Sequence, residues 1–325
     1  MPRKRDWGRP LARITVGRLA LMGMDLFSVS NRAFDAPIPA PEPSAPVEAG
    51  QVAPAAAIGP VPATGFQPPR PGPRAPNPVT GLETLIGHDE RQRVPDAGGD
   101  PWKRICQLDL IGARGTFKGT GWLAGPATII TAGHCVHYPA FFNGWADRIV
   151  VAAGRTGDSF PFGTVEAKHF STLNVWVEEQ AADHDIAAIH LSEPLGDRTG
   201  IFPIRQLADA DLVGRMVNVS GYPTDKELAK AQYHHANRIM AVTPRRLFYD
   251  IDTVSGQSGA PVWAQDTADS PPVVVGLHAY GVPGTPIDLH ITANSAPRFD
   301  DAVLAILRDW VRGDCDRLGL AMPAI

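Results

Sequence analysis

The chain has 325 residues, 44% of them hydrophobic, a formal net charge of −4 at pH 7 and three cysteines. That length supports one large core or two small ones. The near-neutral charge gives no electrostatic reason to expect nucleic acid or an acidic membrane surface as the main partner. No run approaches the roughly 18–20 apolar residues of a membrane-spanning helix.

Residues 1–35 open on a basic cluster of Arg3, Lys4, Arg5, Arg9, Arg13 and Arg18, followed by an apolar patch at 19–24 and then Asp25. A secretory signal needs an unbroken apolar run of roughly 7–15 residues and a small-residue cleavage site. This run is short and ends on a charge, so the leader reads as a short amphipathic or disordered segment, with secretion as the alternative. Residues 36–80 carry 14 of the 32 prolines and only four charged side chains, Glu42, Glu48, Arg70 and Arg74. Without large apolar residues to offset ordering entropy, this stretch reads as a linker or pro-segment. The whole of 1–83 is therefore expected to be a largely disordered extension.

The folded unit is expected from Thr84 to 325. Short strands separated by Gly, Pro and Asn turns are predicted at 104–110, 116–123, 128–132, 148–152, 163–169 and 185–191. A second set follows at 216–220, 231–242, 246–251, 260–263, 273–278 and 288–291. Such spacing predicts an all-β fold of two antiparallel six-stranded barrels. Residues 299–311 have helical apolar periodicity at Phe299, Val303, Ile306, Leu307 and Trp310, so a C-terminal α-helix closes the chain.

Chemistry concentrates in Gly256-Gln257-Ser258-Gly259-Ala260-Pro261. A serine that attacks a carbonyl needs neighbours without bulk, and the N–H groups of Gly256 and Ser258 can turn toward one oxyanion. By itself the string also suits an ordinary turn. Serine is a poor nucleophile until a base takes its proton and a third group orients that base. His134, in Thr131-Ala132-Gly133-His134-Cys135, is the candidate base. Asp185, at the mouth of an apolar strand, is the candidate orienter, with Asp183 as the alternative. A metal site would have to draw on His134, Cys135 and His137, or on His234 and His235. No second cluster has ligand spacing, so neither a metal nor another cofactor is expected.

These three segments, in the order His, Asp, Ser, resemble the chymotrypsin-like serine proteases. The finer resemblance is to the bacterial glutamyl endopeptidases of the staphylococcal V8 and Bacillus type, from about Leu85 to Val311. Further matching pieces are Ile86-Gly87 with Asp89-Glu90-Arg91, Gly119-Thr120-Gly121-Trp122, Ser220-Gly221-Tyr222-Pro223 and Gly276-Leu277-His278. The resemblance implies a trypsin-like fold with His134 as general base, Asp185 as its orienter and Ser258 as nucleophile, acting on protein or peptide substrates as a monomer. Secretion or location in the cell envelope would follow from the family.

For substrate choice, Thr253 and His278 match the glutamate-reading Thr and His of the family, and both can donate hydrogen bonds to a carboxylate. Asp252 stands where trypsin-type enzymes carry the acid that attracts Lys or Arg, so trypsin-like specificity is the alternative. Ala279-Tyr280-Gly281 is expected to pair with the extended substrate backbone. Glu83-Thr84 lies at the family's activation junction, where a freed α-amino group on Thr84 would help to bind the substrate's acid. Gln257 lacks the charge with which trypsin zymogens capture their new terminus. Cys135 occupies a position where many relatives have a disulfide; Cys106 is its nearest candidate partner, and the pairing stays open. A catalytically idle binding module on the same fold is the reading from a different class.

Overall fold

The structure is a computed structural model that describes residues 20–21, 24–32, 84–267, 269–282 and 287–325. The basic start of the leader, the proline-rich segment 36–80 and Glu83 lie outside the described residues. Two antiparallel sheets carry the fold. The first is built from β1 (Ser28–Ser30), β2 (Ile105–Gly112), β3 (Gly115–Leu123), β4 (Thr128–Thr131), β5 (Arg148–Ala153), β6 (Val165–Ala167), β7 (His169–Leu173) and β8 (Ala187–His190). Their order is β6-β5-β2-β3-β4-β8-β7-β1. The second is built from β9 (Met216–Gly221), β10 (Tyr233–Val242), β11 (Arg246–Tyr249), β12 (Pro261–Ala264), β13 (Val273–Leu277) and β14 (Asn294–Pro297), in the order β13-β12-β9-β10-β11-β14. Gln92–Arg93 pairs onto β10 beside this path.

The all-β architecture of two antiparallel sheets with a C-terminal helix agrees with the expectation, and the differences have physical causes. The strand predicted at 163–169 is two strands, broken at Lys168. β6 pairs with β5 and β7 pairs with β8, at opposite ends of the sheet order. The break lets a continuous piece of chain pass from one end of the sheet to the other. The strand predicted at 288–291 is instead a 3₁₀ turn at Ile287–Leu289. The pairing falls on β14, whose Asn-Ser-Ala-Pro sequence has none of the β-branched or aromatic residues that advertise a strand. Its register on β11 (Phe248 opposite Ser295) supplies what local propensity does not.

Within the extension expected to be disordered, Ser28–Ser30 forms a buried strand on β7. Three helical segments matter below: α1 (Gly133–Val136), α2 (Asn174–Glu179) and α3 (Asp301–Leu318). α3 starts where Asp300 caps the Val303 N–H at 2.9 Å and runs past the predicted end at 311. Its last turns are rich in charge, yet Asp314 and Cys315 are buried.

The sheets enclose separate apolar clusters. Leu108, Trp122, Ile129, Ile149, Phe170 and Ile189 belong to the first, which α3 seals with Val303, Leu307, Trp310 and Val311. Val217, Val219, Ile239, Tyr249, Val262 and Val275 belong to the second. Alternation along antiparallel strands puts these side chains inward and leaves strand ends and turns to build a site.

Candidate active site

His134 lies on α1, directly after β4, and Asp185 lies just before β8. Because β4 and β8 are paired, with Thr131 opposite Ala187, the two residues meet at the same end of the sheet. Asp185 Oδ1 accepts the His134 backbone N–H at 2.8 Å, and Oδ2 accepts from the ring Nδ1 at 2.7 Å. The carboxylate has no donor of its own, so Nδ1 carries the hydrogen and Nε2 is the nitrogen left to take a proton. A third donor, the Tyr280 hydroxyl, reaches the same Oδ2 at 2.7 Å. Asp185 is fully buried, so its charge depends on these three bonds. Burial disfavours an imidazolium at His134, but the Asp185 carboxylate outweighs it and holds the ring well above the ordinary imidazole value of 6.5. The Trp176 indole on α2 walls the imidazole, with ring centres 6.3 Å apart.

Ser258 sits in a loop that needs both of its glycines. Gly256 has φ +100°, and a Cβ there would lie 2.4 Å from the Tyr222 carbonyl oxygen; Gly259 has φ +89°, and its Cβ would lie 2.1 Å from the Thr120 carbonyl oxygen. Thr120 braces this loop. Its N–H donates to the Ser258 carbonyl at 2.9 Å and its hydroxyl to the Gly256 carbonyl at 2.7 Å, while the hydroxyl oxygen accepts the Tyr222 N–H at 3.0 Å. Cys135 Sγ also donates to the Ser258 carbonyl, at 3.8 Å, and the Gly259 N–H donates to the His278 carbonyl at 2.8 Å. The Ser255 carbonyl accepts the Thr224 N–H at 2.7 Å. In a trans peptide the Gly256 N–H therefore points the opposite way. Ser258 and His134 line one cavity of about 220 Å³, with Ser255, Thr224 and Cys135.

Gln257, buried beneath the serine, accepts the Val254 N–H at 3.0 Å and Arg91 at 3.4 Å through its side-chain oxygen. Arg91 is in turn clamped by Asp89 and Asp225. An amide and a buried arginine thus meet directly before the serine in the chain.

The residues expected to read the substrate lie beside strands of the second sheet, Thr253 between β11 and β12 and His278 directly after β13. Thr253 is fully buried, and its hydroxyl has no hydrogen-bond partner among the described residues. His278 shares a hydrogen bond between Nδ1 and the Tyr249 hydroxyl at 2.7 Å. Burial, with His134 nearby, pushes its pKa down to about 3, so the ring is neutral. Thr84 is held against this region. Its carbonyl accepts the Thr253 N–H at 3.4 Å and Asn294 Nδ2 at 2.6 Å. Asp252 points elsewhere: its two oxygens accept the N–H groups of Ile86 at 2.6 Å and Glu90 at 2.9 Å.

Of the expected substrate-pairing edge, Ala279 and Gly281 are buried. Tyr280 commits its N–H and carbonyl to Ser295, at 3.2 and 2.7 Å. The Ala279 N–H also donates to the Ser295 carbonyl, at 3.3 Å. All three cysteines are free thiols, so Cys106 and Cys135 are not bridged. Among the described residues no group of three or more His, Cys, Asp and Glu side chains is arranged to hold a metal ion. Thr120 lies in a string that the sequence flagged without giving it a task. The Tyr280–Asp185 bond had no local signal at all.

The arrangement of His134, Asp185 and Ser258 sits within a matched stretch: residues 119–277 match the model of the trypsin-like peptidase domain. Relatives of the chain include the glutamyl endopeptidase of Bacillus licheniformis, 35% identical over 207 residues, which cover 62% of this chain and 63% of the relative. A Bacillus subtilis protein named extracellular metalloprotease is 32% identical over 200 residues, covering 61% and 63%. The chain thus spans a little under two thirds of the length of these curated relatives. A solved structure of a Glu endopeptidase in complex with MPD matches with a TM-score of 0.62 at 25% identity, covering 70% of this chain and 100% of that one.

Proposed function

We propose that the protein is a serine endopeptidase that cleaves after glutamate. The carrying observation is the buried Asp185 carboxylate bonded to both the backbone and the ring of His134, with His134 and Ser258 on one cavity wall. His134 Nε2 takes the Ser258 hydroxyl proton as Oγ bonds to the scissile carbonyl carbon. The N–H groups of Gly256 and Ser258 receive the developing oxyanion; one such donor is typically worth about 2.7–4 kcal/mol. The C–N bond then breaks as the imidazolium protonates the leaving amine. Water, deprotonated by His134, attacks the acyl-enzyme and releases the acid.

Three observations support glutamate. The Thr253 hydroxyl is a buried donor with no partner among the described residues. Neutral His278 can donate one hydrogen bond to a carboxylate. The Asp252 carboxylate is occupied by two backbone N–H groups, which argues against its serving as a receptor for Lys or Arg. Thr84, bonded beside Thr253, suits a maturation cut between Glu83 and Thr84. The test is peptide-library cleavage by the purified full-length chain, varying Glu, Asp, Lys and Arg before the scissile bond. Predominant cleavage after Glu is expected; predominant cleavage after Lys or Arg would refute the assignment of Thr253 and His278.

A further inference from the structure

The strand β1 lies upstream of the proposed maturation cut, yet it is built into the first barrel. It pairs antiparallel with β7, with Ser30 opposite Ser171, Val29 opposite Thr172 and Ser28 opposite Leu173. All three of its residues are buried. Side chains lock both of its ends. Asn31 accepts the Phe170 N–H at 2.8 Å through Oδ1 and donates to the Lys168 carbonyl at 3.0 Å through Nδ2. At the other end, the Phe27 N–H donates to Asn174 Oδ1 at 2.9 Å, and the Phe27 carbonyl accepts the Asn174 N–H at 3.0 Å.

The strand also joins the two ends of the chain. Trp310 of α3 donates its indole N–H to Ser28 Oγ at 2.8 Å. Ser30 Oγ bonds Ser171 Oγ, which bonds His190 Nε2 at 2.8 Å, and His190 Nδ1 meets Asp314 of α3 at 2.9 Å. If β1 left, the edge of β7 would lose its pairing, and the buried Trp310 N–H and the Asn174 amide would lose these partners. Stranding buried polar groups and baring a strand edge are both unfavourable. Asn174 also opens α2, whose Trp176 walls His134, so the strand supports the catalytic side of the barrel as well as its edge.

We infer that β1 and the residues that lock its ends, 27–31, are a permanent part of the peptidase domain, so that cutting the chain after residue 83 yields a two-chain enzyme whose N-terminal fragment stays bound. This rests on the proposed function only for the position of the natural cut; the docking stands on the pairing alone.

The test therefore removes self-cleavage and supplies the cut from outside. The full chain carrying Ser258→Ala receives a recognition sequence for an unrelated site-specific protease between Pro60 and Val61. It is then cleaved and examined by native mass spectrometry and size exclusion. Expected is one species containing both fragments, separated only by denaturant. A second chain carries Val29→Asp and Asn31→Ala as well, and there the N-terminal fragment is expected to come off after cutting. Release of the fragment from the first chain would overturn the inference, as would full retention in the second. Failure of the serine protease reading would show instead as lack of activity in the unsubstituted chain and would leave these results unchanged.

Discussion

The Tyr280 hydroxyl and the His134 imidazole donate to the same oxygen of Asp185, each at 2.7 Å. Tyr280 therefore acts on the imidazole through the carboxylate that both share. Its hydrogen bond draws negative charge from Oδ2 and fixes that oxygen in line with Nδ1. Tyr280→Phe removes a bond to a charged group, typically about 1.5–3 kcal/mol. Expected are a fall in kcat on the order of tenfold with little change in KM, and an acid limb of the pH profile moved to higher pH, because the bare carboxylate favours the imidazolium more. An unchanged kcat and profile would reduce Tyr280 to packing.

With His134 as the proposed general base, its raised pKa sets the pH dependence of activity. Catalysis needs the neutral ring, so kcat/KM should rise with pH through a midpoint above 6.5, the ordinary imidazole value. Asp185→Asn removes the main stabiliser of the imidazolium and should lower both the midpoint and the plateau rate. A profile already flat at pH 6.5 would contradict this electrostatic picture.

Stability should respond to acid through other histidines. Burial pushes His169 and His278 down to about 3. From pH 6.5 to about 3 the unfolded chain binds protons at these rings while the folded chain does not, so stability falls as pH falls, by about 1.4 kcal/mol per unit for each ring. His134 is shifted upward, so its contribution is fully present below 6.5 and fades only as pH rises through its folded value. Melting of the Ser258→Ala chain, which cannot digest itself, should show a clearly lower Tm at pH 5 than at pH 7.

Thr120 holds the serine loop from the first barrel. Thr120→Val keeps the shape but leaves the Gly256 carbonyl and the Tyr222 N–H without their partner. The expected cost is about 1–3 kcal/mol of stability, together with a larger loss of kcat than of substrate affinity, since the Gly256 peptide is freed to turn. Urea unfolding and steady-state kinetics on the same preparation check both.

Asp252→Asn separates two roles for one carboxylate. If the group only holds the backbone at residues 86–90, the variant loses stability and its preference among Glu, Lys and Arg substrates is unchanged. Profiling both chains on the same peptides decides this.

The sequence displayed most of the strands, because alternation and turn residues are local signals, and it displayed the strings around His134, Asp185 and Ser258. What it hid depends on partners far along the chain. Tyr280 meets Asp185 across 95 positions and Ile86 meets Asp252 across 166. Neither neighbourhood says which way its side chain turns. Ser28-Val29-Ser30 is too short and polar to announce a strand, and it becomes one only because β7 offers an edge and Trp310 a hydrogen bond. β14 is legible only as a pairing, and α3 outran its apolar stripe because Asp314 is buried against His190 and Thr128.

The central claim is that His134 and Asp185 make the Ser258 hydroxyl an acylating nucleophile. Intact-mass measurement after exposure to a fluorophosphonate tests it most directly. One phosphonyl group should be added to the unsubstituted chain, located at Ser258, and none to the Ser258→Ala or His134→Ala chains. A folded, unsubstituted protein that stays unlabelled, or one labelled equally in the Ser258→Ala chain, would contradict the account.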